Sequence, residues 1–527
     1  TLHFGTQMTV TTVAVNSNGT FSVTFLISTQ PYAEKVVTAD GDAKEKWGQA
    51  DNVDTTVFFI KSNIILVAPP SGSVGTLITV AGTGFDDPSD ASPDTLFIRF
   101  GYYPENIVSG WPVYPSGQES DVSSNGTFSR SFYVNTESYG TKVITAYKMA
   151  GGDDVATSTF FRLPRIVVMP QRYQVERPVT VCGYGYGSGT TVRIDFGTYN
   201  TITTAIASLL NSTTGQGGTF SVTFAVNTQI GGTHFVTATG SESLEVATTL
   251  FNIQPKITSL TPTEGNEGTV VAIAGRGCTG SVTIHFGATY TIATVSTSIH
   301  GTFSATFIAD AQASSGSVTI TCVDTNNFAT VTFGVTAKID LLNSASQKVG
   351  SISAKVGEVA TVTGTGFGSS QDIRIQFGTT LTITTVESSS SGTFSITFLV
   401  NTQVYGTKGI TAYQGSSPTS GIFVFIISNI VSSPSYGSVS TILTVTGTGF
   451  ETGTVRIDFG THQTITTIAS SQHGTFSLTF RVNTQGWGTK VITVSTSQSA
   501  LNTATFIITG AYIIRFVPVT GSVGTTV

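Results

Sequence analysis

The chain has 527 residues, of which only 10% are charged, whereas about 25% is usual for a soluble protein. A net charge of −6 with 24 basic residues does not suit a nucleic-acid groove, and three cysteines exclude a disulfide scaffold. No apolar run approaches the roughly 18 residues of a membrane-spanning helix, and the scarcity of Met and of Glu-, Lys- or Ala-rich stretches argues against a helix bundle.

Internal repeats dominate the sequence. A Phe-Gly pair recurs at spacings between 82 and 96 residues, beginning at Phe4, Phe100, Phe196, Phe286, Phe377 and Phe459. A Gly-Thr-Phe-Ser string begins at Gly19, Gly126, Gly218, Gly301, Gly392 and Gly474. Two further markers are Gly-Thr-Gly-Phe at 82–85, 364–367 and 447–450, and Val-Asn-Thr-Gln or Glu at 134–137, 226–229, 400–403 and 482–485. A repeat of this length is a whole small domain rather than one turn of a solenoid.

Each repeat has the pattern of β-structure. In the sixth, Val455, Ile457 and Phe459 alternate with polar residues, and residues 475–482 and 490–494 alternate in the same way. A period of two with β-branched and aromatic residues indicates half-buried strands. Glycine-marked turns such as His473-Gly474 suit a positive φ. We count about seven strands in fewer than about 100 residues, which predicts a Greek-key sandwich.

The fourth repeat carries a family resemblance. Residues 256–262, Lys-Ile-Thr-Ser-Leu-Thr-Pro, lead to Gly268-Thr269, an alternating strand, a Gly-x-Gly turn and a Phe-Gly strand end. This order resembles the IPT/TIG type of immunoglobulin-like domain, and the Gly-Thr-Phe-Ser strand resembles Ig-like repeats of prokaryotic surface proteins. The resemblance covers nearly the whole chain and implies stalks, adhesins, filaments or cell-envelope layers. Some members of the family bind DNA, but this chain has no basic loops for that role.

We therefore predict an all-β chain, a tandem array of Ig-like Greek-key β-sandwiches. In chain order, the markers predict a partial unit lacking its first two strands over 1–61, complete units over 62–163, 164–254, 255–336, 337–427 and 428–509, and the opening strands of a further unit over 510–527.

The two partial units allow two hypotheses. The sequence is either a window of a longer repeat protein, or its ends complement one another between subunits by strand addition. Both predict a head-to-tail, heterologous contact, which builds filaments rather than closed rings. The second hypothesis places the apolar residues of the last segment in a subunit contact, namely Ile513, Ile514, Phe516 and Val523.

Insertions break the repeat in the first unit, over residues 40–47, and in the second unit, which carries two inserted loops. The first insertion of the second unit is acidic and contains Asp86, Asp87, Asp90 and Asp94. Clustered carboxylates are ligands for calcium, but no EF-hand spacing is present, so a solvated loop is the alternative. The second insertion contains Tyr102, Tyr103, Trp111 and Tyr114. We expect these aromatic residues in a subunit contact, with a lid over their own sheet or stacking on a sugar as alternatives.

Cysteines and asparagines give candidate covalent sites. Cys278 and Cys322 should face the core of the fourth unit, either as a disulfide or as two buried thiols. Asn-x-Ser/Thr sequences at Asn18, Asn125 and Asn211 would be glycan acceptors in a secreted chain, and surface glycans would compensate for the missing charge.

The sequence does not predict an enzyme. Its six histidines follow the repeat, and we find no nucleophile elbow, metal-ligand spacing or paired acid and base. The prediction is an extracellular structural protein on a prokaryotic cell surface, polymerising with copies of itself without cofactors other than the calcium considered above. The alternatives are the stalk of a surface adhesin and an accessory region of a secreted carbohydrate-active enzyme.

Overall fold

The computed structural model describes residues 1–41, 52–85, 96–101, 107–109, 122–148, 155–211, 216–241, 245–313, 316–325, 327–497, 501–510, 520–524 and 526. The chain divides into two compact halves, which are described separately below. The first half comprises Thr1–Lys256, Arg276–Thr279 and Ser298–Thr302, and the second comprises Ile257–Gly275, Gly280–Thr297 and Phe303–Val527. In the described residues, all regular elements are β-strands.

The first three sandwiches together contain twenty strands. The first sandwich has β1 (Leu2–Phe4), β2 (Gln7–Thr11), β3 (Ala33–Gly41) and β4 (Asn52–Ile60). The second has β5 (Asn63–Ala68), β6 (Ser71–Gly72), β7 (Leu77–Thr83), β8 (Leu96–Phe100), β9 (Ile107–Ser109), β10 (Phe128–Tyr133), β11 (Gly140–Lys148) and β12 (Val155–Arg162). The third has β13 (Arg165–Met169), β14 (Arg172–Gln174), β15 (Pro178–Tyr184), β16 (Thr191–Phe196), β17 (Tyr199–Ile206), β18 (Phe220–Ala225), β19 (Gly232–Thr239) and β20 (Val246–Gln254).

Three more sandwiches follow. The fourth has β21 (Lys256–Thr261), β22 (Glu264–Gly265), β23 (Val270–Arg276), β24 (Ser281–Phe286), β25 (Thr289–Ser296), β26 (Phe303–Ile308), β27 (Ser317–Val323) and β28 (Phe328–Val335). The fifth has β29 (Lys338–Leu342), β30 (Lys348–Val349), β31 (Ser351–Ala354), β32 (Val359–Thr365), β33 (Asp372–Phe377), β34 (Thr380–Glu387), β35 (Phe394–Leu399), β36 (Gly406–Gln414) and β37 (Ser417–Ile426). The sixth has β38 (Asn429–Ser433), β39 (Tyr436–Gly437), β40 (Ile442–Thr448), β41 (Thr454–Phe459), β42 (His462–Ala469), β43 (Phe476–Arg481), β44 (Gly488–Ser495) and β45 (Asn502–Ile508).

The third sandwich shows the strand order. Its smaller sheet is β13-β15-β18, and its larger sheet is β14-β20-β19-β16-β17. The first strand changes sheets at Pro170, because β13 pairs antiparallel with β15 whereas β14 pairs parallel with β20. The second, fourth and sixth sandwiches have the same order, and the fifth adds β30 at the edge of its smaller sheet. This arrangement confirms the predicted fold class, an all-β tandem array of Ig-like sandwiches. The second, third, fourth and sixth sandwiches each have eight short strands and the fifth has nine, where we counted about seven, because the first strand is broken and the fifth sandwich adds β30.

The first sandwich has a single sheet in the described residues. Its four strands have the order β2-β1-β3-β4, and residues 12–31 form no strand. Apolar side chains of that segment are consequently accessible, and the exposed fraction of Leu26 is 93%. Phe25 still packs against Phe4, with ring centroids 5.8 Å apart.

Alternating side chains build a separate core in each complete sandwich. In β41, Val455, Ile457 and Phe459 are fully buried while their neighbours are more exposed, which confirms the predicted alternation. The cores of the second, third, fifth and sixth sandwiches form four separate clusters of buried residues. Phenylalanine rings pack against one another within them, as where Phe196 contacts both Phe224 and Phe251 with ring centroids 5.5 Å apart. Each sandwich is thus stabilised mainly by its own buried surface.

A buried glutamine explains the recurring Phe-Gly pair. In the third sandwich, Gln229 Nε2 donates to the carbonyl of Phe196 at 3.1 Å, and Oε1 accepts from the Thr198 N–H at 2.8 Å. Gly197, between them, has φ +58, and a Cβ there would overlap Gln229 Oε1. Nε2 also donates to Asn227 Oδ1 at 2.6 Å, which gives the Val-Asn-Thr-Gln marker a structural role. The same contact to the Phe carbonyl is made by Gln30, Gln403 and Gln485.

Replacing Gln229 should destabilise the third sandwich. Gln229→Leu would leave the Phe196 carbonyl and the Thr198 N–H without their hydrogen-bond partner. We expect this loss to lower the free energy of unfolding by about 2–4 kcal/mol. Hydrogen exchange of peptides over 191–206 measures the loss of protection. The exposed Gln472→Leu is the control, and equal protection in both variants would contradict the assigned role.

Candidate functional site: the junctions between sandwiches

Consecutive sandwiches are joined by very short segments. In the first half, two residues separate β4 from β5 and two separate β12 from β13. In the second half, two residues separate β28 from β29 and two separate β37 from β38. Connections of this length restrict how far adjacent domains can move apart, so the surfaces on either side of them meet.

A backbone hydrogen bond recurs at the junctions. The residue two positions after the buried Gln or Glu donates its N–H to the carbonyl of the aromatic residue in the Gly-x-Gly turn of the next sandwich. The pairs are Tyr32 with Phe85 at 3.2 Å, Tyr139 with Tyr186 at 3.2 Å, and Tyr405 with Phe450 at 3.3 Å. Each donor ring also packs on its own sandwich, against Phe59, Phe161 and Phe425 respectively, with centroids 4.9 to 5.5 Å apart. The same tyrosine thus contacts its own sheet and the next domain.

Hairpin glycines fit against the preceding sandwich. A Cβ on Gly126 would lie 2.7 Å from Pro31 Cα, and one on Gly474 would lie 3.0 Å from Val404 Cα. Gly218 approaches Ser138 and Gly392 approaches Ala313 in the same manner. These glycines have φ values between +70 and +73, or +68 for Gly218, a region that suits glycine. The Gly-Thr-Phe-Ser marker therefore provides a close backbone approach between domains as well as a turn.

The junction after the second sandwich contains a buried ionic cluster. Glu137 stands where the other sandwiches have Gln, and its exposed fraction is 1%. Lys142 Nζ lies 4.0 Å from Glu137 Oε2. Arg162 is fully buried under the turn of the third sandwich, where a Cβ on Gly185 would lie 3.2 Å from its Cζ. Ile60 and Ile426 occupy the equivalent place at other junctions, so acid and base replace Gln and Ile together.

Burial governs the protonation of the two bases in this cluster. Desolvation lowers the pKa of Arg162 to about 10, and the nearby Glu137 carboxylate partly offsets that effect. Desolvation also lowers the pKa of Lys142, with Glu137 again opposing the shift and Arg162 adding to it. Opposite charges in a poorly solvated site stabilise one another strongly, and removing one partner is costly. The sequence shows that position 137 has Glu where the other repeats have Gln. It does not show that Arg162 is the partner of Glu137, because this is recognised only when β11 is paired with β12.

Several predicted residues lie outside the described ones. They are Asp86, Asp87, Asp90 and Asp94 of the acidic insertion, Tyr102, Tyr103, Trp111 and Tyr114 of the aromatic insertion, and Ile513, Ile514 and Phe516 of the last segment. Val523 is described and exposed. In the described part of the chain, no three His, Cys, Asp or Glu side chains come together as a metal site. The structure has no helix there of the length and apolarity required to cross a membrane.

The covalent candidates are placed as follows. Cys278 and Cys322 are both buried, but the structure holds them as thiols, in place of the disulfide that was one of the two expectations. Cys278 Sγ lies 3.8 Å from the Arg276 carbonyl, and burial raises the pKa of Cys322 to about 12. Asn18, Asn125 and Asn211 are exposed. Glycosylation of these three asparagines stays a prediction.

No protein-family model matches this chain. No curated protein matches it either. Solved structures do match. The N-terminal eight Ig domains of Down syndrome cell adhesion molecule are 11% identical, with 96% of this chain and 68% of that chain covered and a TM-score of 0.15. Invasin, a bacterial integrin-binding protein, is 15% identical over 73% of this chain and 82% of that chain, with a TM-score of 0.18.

Escherichia coli alpha-2-macroglobulin also matches. It is 10% identical over 85% of this chain, with a TM-score of 0.15, and the matched region spans 53% of its own length. The chain thus spans about half of that macroglobulin. TM-scores this low carry no argument about function, so the Ig-like fold is assigned from the strand order described above.

The ionic cluster gives a direct test of the junction. In Glu137→Gln, Arg162 keeps its buried charge but loses its acidic partner, and we expect about 2–4 kcal/mol of destabilisation at the second and third sandwiches. The double variant Glu137→Gln/Arg162→Ile restores the combination found elsewhere and should recover most of this loss. Thermal unfolding and hydrogen exchange measure both, with the exposed Glu387→Gln as control. Additive losses in the double variant would show that the two residues are not coupled.

Thiol counting tests the state of the cysteines. Burial and a raised pKa should keep Cys322 unreactive in the folded protein, because the thiolate is the reactive form. We expect three thiols per chain to react after unfolding without reductant. Only one reactive thiol would show that Cys278 and Cys322 form the disulfide after all.

Proposed function

We propose that this chain is an extracellular structural protein of the IPT/TIG-like kind, part of a head-to-tail filament or surface assembly of a prokaryote. The recurring junction carries the proposal. A two-residue connection, a backbone hydrogen bond and a glycine seated on the preceding domain recur along the chain, as at Tyr32 and Gly126 or Tyr405 and Gly474. Such contacts favour a defined arrangement of each pair of neighbours over free movement about a linker.

Surface chemistry supports an assembling role. Only 10% of the residues are charged, so little electrostatic repulsion opposes association of copies. Cross-strand hydroxyl pairs cover outer faces of the smaller sheets, as where Thr180 and Thr223 lie 2.9 Å apart and Thr79 and Ser131 lie 2.8 Å apart. The paired hydroxyls are polar yet uncharged, and they suit either contact between copies or attached glycans.

Strand complementation between copies is one route of assembly within this proposal, and in a longer repeat protein a neighbouring part of the same chain would supply the strand instead. The segment 12–31 exposes apolar side chains and forms no strand, and residues 510–527 repeat the opening of a sandwich. An added strand from another copy would pair with the free backbone and cover Phe21 and Leu26. The calcium and the aromatic subunit contacts predicted for the second sandwich belong to the same proposal.

Imaging of the native material by electron cryo-microscopy tests this function. We expect helical or planar arrays in which the Ig-like sandwiches repeat along one direction. Isolated chains that carry a separate binding tip would contradict an assembly and favour an adhesin stalk. Hydrolytic activity located elsewhere in a longer chain, with no ordered assembly, would favour the accessory region of a carbohydrate-active enzyme.

A further inference from the structure

We propose that one edge of the buried Arg162 guanidinium, at the junction after the second sandwich, binds a small monovalent anion such as chloride. The edge is formed by Nε and Nη2, and it is covered by the turn of the third sandwich. Every residue of this site is a described residue inside one chain. Such a site would exist whether or not the chain assembles with copies of itself.

Arg162 carries its guanidinium into the interior with few acceptors for its N–H groups. The residue is fully buried. Nη1 donates to the Leu163 carbonyl at 3.4 Å, which is longer than the roughly 3 Å of a usual hydrogen bond. Nε and Nη2 are also buried, and neither has a hydrogen-bond partner among the described residues. Because a buried N–H group without an acceptor is costly, these two nitrogens require one.

The two unpartnered nitrogens lie on the same edge of the planar guanidinium. Their N–H bonds run nearly parallel, which is the fork geometry by which arginine binds an anion at two points. In the sixth sandwich this edge of another arginine does bind an anionic group, because Arg456 Nε donates to Asp458 Oδ1 at 3.0 Å and Nη2 donates to Oδ2 at 2.7 Å. Arg162 forms no such ion pair with a carboxylate of the described residues.

The charges around this edge leave an excess of positive charge. Lys142 and Arg162 are two cations, and Glu137 is the acid that acts on both of them. Glu137 Oε2 lies 4.0 Å from Lys142 Nζ, so the one carboxylate is shared. The pKa of Arg162 is lowered by burial to about 10, which keeps the guanidinium charged at neutral pH. An anion at Arg162 would neutralise the remaining charge in a poorly solvated site.

The cover over the guanidinium indicates the size of the ligand. A Cβ on Gly185, which has φ +75, would lie 3.2 Å from Arg162 Nη2, so glycine backbone closes over this side chain. Because the edge is shielded from solvent, a small ion suits it better than a large ligand or a side chain of another protein. At two other junctions Ile60 and Ile426 occupy the equivalent place, and an apolar side chain cannot bind an anion.

The stability of the full chain in two salts tests this site. Thermal unfolding, and hydrogen exchange of peptides over 155–169 and 178–187, are measured in sodium chloride and in sodium gluconate at the same ionic strength. Gluconate screens charges equally but is too large to reach a fully buried edge. A ligand that binds only the folded state stabilises it as the ligand concentration rises. We therefore expect Tm and protection to increase as chloride replaces gluconate.

Two variants change the site in opposite directions. Glu137→Gln removes the carboxylate that repels an anion, and we expect the affinity for chloride to increase about tenfold or more. Glu137→Gln/Arg162→Ile has the uncharged combination of the other junctions, so its stability should be the same in both salts. Arg177→Ile is the matched control, because it removes an exposed arginine of the third sandwich, and it should keep the chloride effect of the unchanged chain.

Crystals grown in bromide locate the ion directly. We expect an anomalous peak within hydrogen-bond distance of both Nε and Nη2 of Arg162. A chloride effect that persists in the double variant would come from elsewhere on the protein and would overturn the site. Equal stability of the unchanged chain in both salts, or density at this edge without an anomalous signal, would show that water satisfies these nitrogens, and the anion site would be wrong.

Discussion

The rest of the structure depends on the tight contact between a glycine that follows a buried Phe and the side chain of a buried glutamine, which leaves no room for a Cβ on the glycine. At the end of β16, the Gln229 side chain fills the volume that any residue larger than Gly197 would need, and it bonds to the backbone on both sides. That contact fixes the direction of the chain after Phe196, whose ring then reaches the centre of the core. It also fixes the glutamine's own loop. The residues that follow this glutamine are the ones that meet the next sandwich, so one polar contact orients both the core and the junction.

The junction follows from that constraint with few further requirements. Once the loop after Gln403 is held, the Val404 backbone lies against Gly474 and Tyr405 donates its N–H to the Phe450 carbonyl. Neither contact uses a long side chain, so little conformational entropy is lost in making it. At this junction, backbone and glycine contacts thus couple the two domains without a charged side chain, and Thr and Ser lie on the outer faces.

Much of this architecture could be predicted from sequence, because alternation and glycine-marked turns are local signals. Val455, Ile457 and Phe459 could be placed on a buried face in this way. The structural roles of the repeated sequence markers could not be predicted in this way, because those roles depend on contacts between residues on different strands of the sandwich. Gln229 lies 33 residues from Phe196, and nothing in the Val-Asn-Thr-Gln string indicates which carbonyl it binds. Likewise, Arg162 has the sequence pattern of an ordinary strand end, and only its burial beside Glu137 shows its connection to the junction.

The ionic cluster has a consequence for how so repetitive a chain folds. Neighbouring domains of similar sequence can exchange strands and become trapped in misfolded forms. If β12 were exchanged with the last strand of another sandwich, Arg162 would be buried beside a glutamine, and Glu137 would face an isoleucine such as Ile426. The first mismatch leaves the Arg162 charge without an acidic partner in a poorly solvated site, whereas Glu137 would keep Lys142, whose Nζ lies 4.0 Å from its Oε2. The pair therefore discriminates against swapped arrangements in a chain whose other repeats use interchangeable, uncharged residues at these positions.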